Sequence, residues 1–430
     1  MGIFEGKVRA PRSSPKTDPT LWEEGEFPRH SDIGPCPTHG YPVEKKRDNR
    51  AIGLSSKEMR IFTPFRISSL VLRNRIVMPA MGTGFAKRDG SITEKLINYY
   101  RARARGGVGL IIVEETAVEA RGLGYGYQLR IYEDSHLDGL GELARAVHDE
   151  GAKVFIQLAH AGRQTLPAVI KDTPVAPSPV PCLKFKHTPR ELSIREIKDI
   201  EGAFVAGADK AKALGFDGVE LHAAHGYLLC EFLSPLSNHR KDEYGGDLEN
   251  RTRILINIIE GIKRRVGDDF PIFVKISADE YYEGGLRPQE SLEIGRLLER
   301  AGVSAITVSA GNYGSFDWVV QPVQKEPGCL VHLAEAFKRE LNIPVIAVGR
   351  INEPSLAEKI LEEKKADLIA MGRALIADPY LLRKVQEGKA NEINKCLADN
   401  QCINTLFERG RDITCSVNGD LGTEKELHFR

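Results

Sequence analysis

From Leu70 onward, short continuous apolar runs alternate with longer stretches whose apolar residues recur every three or four positions. The runs cover residues 75–78, 109–113, 154–157, 218–221, 272–275, 305–308, 344–348 and 367–371. A short run that is apolar throughout, rather than at every second position, fits a strand covered on both faces, as in a parallel sheet. The intervening periodic stretches predict helices, among them 194–214, 249–266, 289–301 and 354–364. Eight strand–helix alternations are the count that closes a (β/α)8 TIM barrel. An open doubly wound sheet is the competing arrangement. It is weakened by the turn after the first strand, Met78-Pro-Ala-Met-Gly82, where a glycine-rich phosphate-binding turn would be expected.

The pattern also divides the chain. Residues 1–58 are rich in Pro, Gly and charge with little apolar periodicity, which predicts an N-terminal extension. That extension is either a loosely ordered tail or an arm that packs on the barrel or on a neighbouring subunit. Residues 59–390 make the barrel, and 391–430 a short cysteine-containing C-terminal segment. Composition narrows the partners. The 430 residues carry 60 Lys plus Arg against 60 Asp plus Glu, which gives no reason to expect nucleic acid or an anionic membrane. No apolar run approaches the roughly 18 residues that span a bilayer, and the N-terminus lacks the apolar core of a secretory signal. A soluble, cytoplasmic protein is expected. Seven scattered cysteines do not read as a secreted disulfide scaffold.

Barrel chemistry sits where strands end and loops begin, and the unusual polar residues fall there: Gln157, His222, Lys275 and Arg373. The fourth strand runs into His222-Ala-Ala-His225-Gly226-Tyr227. Two imidazoles and a phenol can donate hydrogen bonds at neutral pH without carrying full charge, which suits polarising a carbonyl while delivering a proton nearby. The seventh and eighth strands end in Gly349-Arg350 and Gly372-Arg373. Glycine lets backbone N–H groups approach an anion and arginine adds a charged fork, so these two ends predict a phosphate site. A sugar-phosphate enzyme would fit that pair equally well.

Four motifs in order are similar to the old yellow enzyme family of flavin-dependent reductases. They are Asn74-Arg-Ile-Val-Met-Pro-Ala-Met81, Gln157-Leu-Ala-His-Ala-Gly-Arg163, the block from His222 to Arg251, and Ala347-Val-Gly-Arg350 with Ala370-Met-Gly-Arg-Ala-Leu-Ile-Ala-Asp-Pro379. The resemblance implies FMN as cofactor, NAD(P)H as electron donor and a small unsaturated substrate. It implies flavin contacts from Pro79, Ala80, Met81 and Gly82, a backbone contact at Glu115, and a hydrogen bond from Gln157 to the flavin pyrimidine. Lys275 would sit beside the flavin, and Gly349, Arg350, Gly372 and Arg373 would hold the phosphate. His222 and His225 would grip the substrate oxygen while Tyr227 protonates the neighbouring carbon. Two positions depart: Gly82 stands where many relatives carry Thr or Cys, and Lys275 where Arg is commonest. Both departures bear on reduction potential rather than on flavin binding.

Near the end, Cys396-Leu-Ala-Asp399-Asn-Gln-Cys402 and Cys415 resemble the iron–sulfur segment of larger relatives akin to 2,4-dienoyl-CoA reductase. Asp399 stands at the second cysteine position, and the spacing around Cys402 is shifted by one. Cys396, Asp399, Cys402 and Cys415 are therefore either ligands of a 4Fe-4S cluster or a decayed site of free thiols. A cluster would imply an electron-donor protein as partner, since nothing resembling the larger relatives' further nucleotide-binding domains reads from this sequence. Homo-oligomers are common among such relatives and are expected here. An amine dehydrogenase on the same scaffold is disfavoured, because paired histidines suit an oxygen acceptor better than a cation. His160 is expected to be structural, Tyr244 to Gly246 to shape a loop, and Arg240 to pair with Asp242 or Glu249.

Overall fold

The computed structural model describes residues 58–410 and 412–424. Residues 1–57, nearly all of the expected extension, lie outside them. Every one of the eight apolar runs becomes a parallel strand: β1 (Ile76–Met78), β2 (Leu110–Ala117), β3 (Lys153–Ala159), β4 (Gly218–Ala223), β5 (Ile272–Ser277), β6 (Ala305–Ser309), β7 (Val345–Ala347) and β8 (Leu368–Ala370). Each pairs with the next, and β8 returns to β1 through Ile369 opposite Ile76. That closure makes the sheet a barrel and removes the doubly wound alternative.

Helices cover the outer face: α1 (Glu94–Arg105), α2 (Leu137–His148), α3 (Ile194–Ala213), α4 (Leu248–Val266), α5 (Pro288–Arg300), α6 (Val331–Glu340) and α7 (Pro354–Glu362). Their starts follow local chemistry. Ser193 caps α3 in a reciprocal box with Glu196, and Thr93 and Asp247 cap α1 and α4. Pro288 and Pro354 occupy the first turns of α5 and α7, where a missing N–H costs nothing. Among the described residues no helix is long and apolar enough to cross a membrane.

Alternation along the strands sorts two cores. Val219, Leu221, Val274 and Ile276 face the helices in the larger core. Phe155, Phe273, Ile112 and Ile346 fill the barrel interior, together with Leu70 and Leu72 of a hairpin (Phe65–Ile67 with Leu70–Leu72). Gly218 makes room for that filling, since a Cβ there would lie 2.4 Å from the Phe155 ring. The same alternation carries Gly218, Glu220 and His222 inward along β4, so the apolar interior gives way to polar groups towards the strand's C-terminal end.

The C-terminal segment returns across the barrel. The Ile413 N–H donates to the Thr83 carbonyl at 2.9 Å. Arg103 of α1 and Glu424 form an ion pair at 2.6 Å with both side chains wholly buried.

Candidate active site

The strand ends open into one cavity of about 180 Å³. Every residue expected to touch the flavin or substrate lines it. Pro79, Ala80, Met81 and Gly82 come from the turn after β1, Glu115 from β2, Gln157 from β3 and Lys275 from β5. His222, His225 and Tyr227 come from the end of β4, Gly349 and Arg350 follow β7, and Gly372 and Arg373 follow β8. The C-terminal segment adds Cys402, Leu406 and Ile413.

The end of β4 is bent to present its polar groups. His222 lies opposite Lys275 in register. His225 adopts φ of 63°, in the left-handed region, and Gly226 follows at 79°. Such backbone is costly for a non-glycine residue and persists where surroundings impose it. Here the His225 N–H donates to Ser277 Oγ at 2.9 Å, and its Nε2 lies 2.8 Å from Ser309 Oγ. The two imidazoles sit edge to face at 5.1 Å, and the Tyr227 ring packs on His222 at 4.7 Å. Tyr227 Oη is 2.8 Å from Tyr313 Oη.

Burial and nearby positive charge act in one direction on this group. Burial first, then His225 and Lys275, hold the His222 imidazole well below its usual range, and burial and Lys275 do the same to His225. Both rings are therefore neutral near pH 7, each with one N–H to donate. Burial, and then the Glu115 charge, push the Tyr227 phenol up, which keeps its proton in place.

Below them lies a buried chain of polar groups. Glu220 accepts from Gln157 Nε2 at 2.6 Å and from Thr307 Oγ1 at 2.6 Å. It fixes the orientation of the Gln157 amide, a residue that lines the cavity.

At the other end, Gly349 has φ of 113° and Arg350 φ of 51°, so consecutive peptides turn away from strand geometry. A Cβ on Gly372 would come 2.8 Å from Met81 Sδ, so backbone approaches there that a side chain would block. Arg350 Nε is buried without a hydrogen-bond partner, and burial lowers the Arg373 guanidinium pKa. A donor withheld from both water and protein suits an anionic ligand. Two glycine–arginine ends, one unsatisfied donor and a cavity that continues to the His–Tyr group fit an FMN phosphate and ring.

The cysteine segment does not fit a cluster in this arrangement. Cys396, Asp399, Cys402 and Cys415 border one small cavity beside Arg373. Among the described residues, however, no three His, Cys, Asp or Glu side chains come together as a metal-holding group. The Asp399 carboxylate is engaged by Ser416 Oγ and the Gln401 N–H.

The supporting expectations hold in detail. Arg240 pairs with Asp242 at 2.5 Å. His160, buried, bonds Glu119 at 3.0 Å and accepts the Gly162 N–H. The residues that sequence reasoning missed are Glu220, Thr307, Ser309 and Tyr313. A charged residue inside the apolar run of β4 was a visible signal for Glu220.

The fold is a (β/α)8 barrel whose cavity joins the two glycine–arginine ends to the hydrogen-bonding group of His222, His225 and Tyr227. Residues 60–392 match the NADH:flavin oxidoreductase / NADH oxidase family, and the chain belongs to that family. It is 50% identical over 367 residues to an NADH oxidase of Thermoanaerobacter brockii, covering 85% of this chain and 56% of that one. It is 43% identical to an NADPH dehydrogenase of a Geobacillus species, covering 75% of this chain and 92% of that one. A solved complex of 2-naphthoyl-CoA reductase with 2-naphthoyl-CoA aligns with a TM-score of 0.82 at 33% identity, over 85% of this chain and 58% of that one. The chain thus spans little more than half the length of the NADH oxidase and the naphthoyl-CoA reductase.

Proposed function

We propose that this chain is an FMN-dependent reductase of activated C=C bonds, such as enones and enoates, drawing its electrons from NAD(P)H. The carrying observation is that the neutral His222–His225 pair and the protonated Tyr227 face the same cavity as the Gly349–Arg350 and Gly372–Arg373 ends. Membership of the flavin oxidoreductase family supports FMN, and a reductase of an unsaturated thioester among the structural relatives supports the substrate class.

In this reading Pro79 to Gly82, Glu115, Gln157 and Lys275 line the ring of FMN, and the two glycine–arginine ends hold its phosphate. Bound FMN supplies hydride chemistry to the cavity. His222 and His225 donate hydrogen bonds to the substrate's carbonyl oxygen. Those bonds strengthen as the oxygen gains negative charge, which is where hydrogen bonding accelerates a reaction. Tyr227 passes its proton to the carbon beside the carbonyl, and Tyr313, at 2.8 Å, aims that hydroxyl. Ser277 and Ser309 hold His225 in its left-handed position.

An anaerobic absorbance spectrum of the purified protein tests the reading. A flavin spectrum that bleaches on adding NADH or NADPH, and recovers with an enone, is the expected result. A flavin that nicotinamide leaves oxidised would shift the electron source to a partner protein, and iron and labile-sulfide analysis would then decide whether Cys396, Cys402 and Cys415 hold a cluster. A protein that binds no FMN overturns the proposal.

A further inference from the structure

Strand β2 is irregular where it reaches the cavity. Leu110 and Ile112 face the barrel interior, and unbroken alternation would send Glu114 inward after them. Instead the pairing with β3 shifts register between Val113 and Thr116. Glu114 faces α1, where Tyr100 Oη donates to its carboxylate at 3.2 Å. Glu115 takes the inward position and lines the cavity. Irregularities of this kind re-aim a side chain beside a site.

The re-aimed carboxylate has a partner. Tyr125 Oη donates to Glu115 Oε1 at 3.0 Å. Both atoms stand in the space beside Gly82, where a Cβ would come 2.7 Å from Tyr125 Oη and 2.9 Å from Glu115 Oε1. Any side chain at position 82 competes with the Tyr125–Glu115 bond. The absence of a side chain at Gly82 and the Tyr125–Glu115 pair are therefore two halves of one arrangement. Burial raises the Glu115 pKa above the usual carboxylate range, while hydrogen bonds from its own backbone and from Tyr125, and then the Lys275 charge, pull it back towards the ionised form; Glu115 in turn acts on the Tyr227 phenol.

We propose that Tyr125 and Glu115, admitted by Gly82, are the polar group that sets the reduction potential of FMN in this site, the carboxylate disfavouring negative charge on the reduced ring. The proposal rests on the FMN reading above and adds two side chains to it. A charge in a cavity shielded from water acts over several ångströms with much of its strength intact, so one carboxylate suffices to move the equilibrium.

The test is the two-electron midpoint potential of the FMN-loaded protein, measured for wild type, Glu115→Gln, Tyr125→Phe, Gly82→Ala and the Gly82→Ala/Tyr125→Phe double variant. Glu115→Gln removes the charge and should favour reduction by about tenfold, which is about 30 mV for a two-electron couple. Tyr125→Phe and Gly82→Ala both take the phenol off the carboxylate, which weakens its ionisation. Both should shift the potential in the same upward direction, and the double variant should match either single one, because the two changes break one bond. A Glu115→Gln potential within twofold of wild type, or a downward shift, overturns the inference. So do additive shifts in the double variant. If Gly82→Ala fails to fold or to bind FMN, the other two single variants decide. Failure of wild type to bind FMN fells the functional reading as well, whereas bound FMN with an unmoved potential fells this inference alone.

Discussion

Replacing Tyr227 with Phe separates the role of its proton from the role of its ring. The ring contact with His222 at 4.7 Å is kept, and only the hydroxyl 2.8 Å from Tyr313 Oη is lost. In stability the change removes one neutral hydrogen bond, about 1 kcal/mol. That is a fall of about 2–4 °C at most in Tm for a chain of this size. In rate it removes a positioned acid, for which about 10²–10⁴-fold is usual, or about 3–5 kcal/mol of barrier. The assay is stopped flow: the flavin is reduced anaerobically, mixed with an enone, and its reoxidation followed. Nicotinamide-driven reduction of the flavin should be unchanged, and enone-driven reoxidation should slow by at least a hundredfold. Tyr313→Phe leaves the acid but loosens its aim, and should cost about fivefold, the equivalent of one hydrogen bond. A Tyr227→Phe rate within threefold of wild type would refute the assignment, because the reaction would then take its proton from elsewhere.

Arg373→Ala should weaken FMN binding by about 10- to 100-fold, the worth of one charge-assisted hydrogen bond, measured by fluorescence titration; unchanged affinity would remove Arg373 from the phosphate site. The His222 and His225 pKa values lie below those of unfolded histidine, so the stability that neutral imidazoles contribute is full above about pH 6.5 and is lost as pH falls below it. Thermal melts from pH 7.5 to 5.5 should therefore show a falling Tm, with a smaller fall in a His222→Gln/His225→Gln variant. Glu424→Gln leaves Arg103 charged in a wholly buried position and should cost about 3–5 kcal/mol in urea unfolding, against less than 1 kcal/mol for a surface pair.

The barrel was legible because burial on two faces writes itself into sequence as unbroken apolar runs. Each run from 75–78 to 367–371 became a strand, and the helix spans differ from expectation by a residue or two at their ends. The site was legible where strand ends carry polar residues that a scaffold would leave apolar, as at His222, Lys275 and Arg373. The rest was hidden for physical reasons. Glu220 and Thr307 sit within apolar strands and bond only to neighbours that the barrel's curvature brings together. Tyr313 lies in the loop after β6, whose path no periodicity describes. Glu115 was expected to contribute backbone alone, because the family resemblance implied only that contact. The consecutive Glu114 and Glu115 were the clue, since two adjacent carboxylates cannot both face a barrel interior.

The irregular backbone and the chemistry coincide for one reason. A regular parallel strand sends alternate side chains to opposite faces and carries no more than every second residue into the barrel. His222, His225 and Tyr227 are spaced by three and then two residues, which strict alternation cannot send to one face. The chain meets the demand by leaving strand geometry: His225 and Gly226 turn left-handed after β4, Arg350 does so after β7, and β2 slips its register before Glu115. Each departure costs about 1–3 kcal/mol or forgoes a ladder bond, and is held by neighbouring polar groups, such as Ser277 and Ser309 on His225. Replacing those serines should therefore damage the site more than the fold, because they hold a shape that the rest of the barrel does not require.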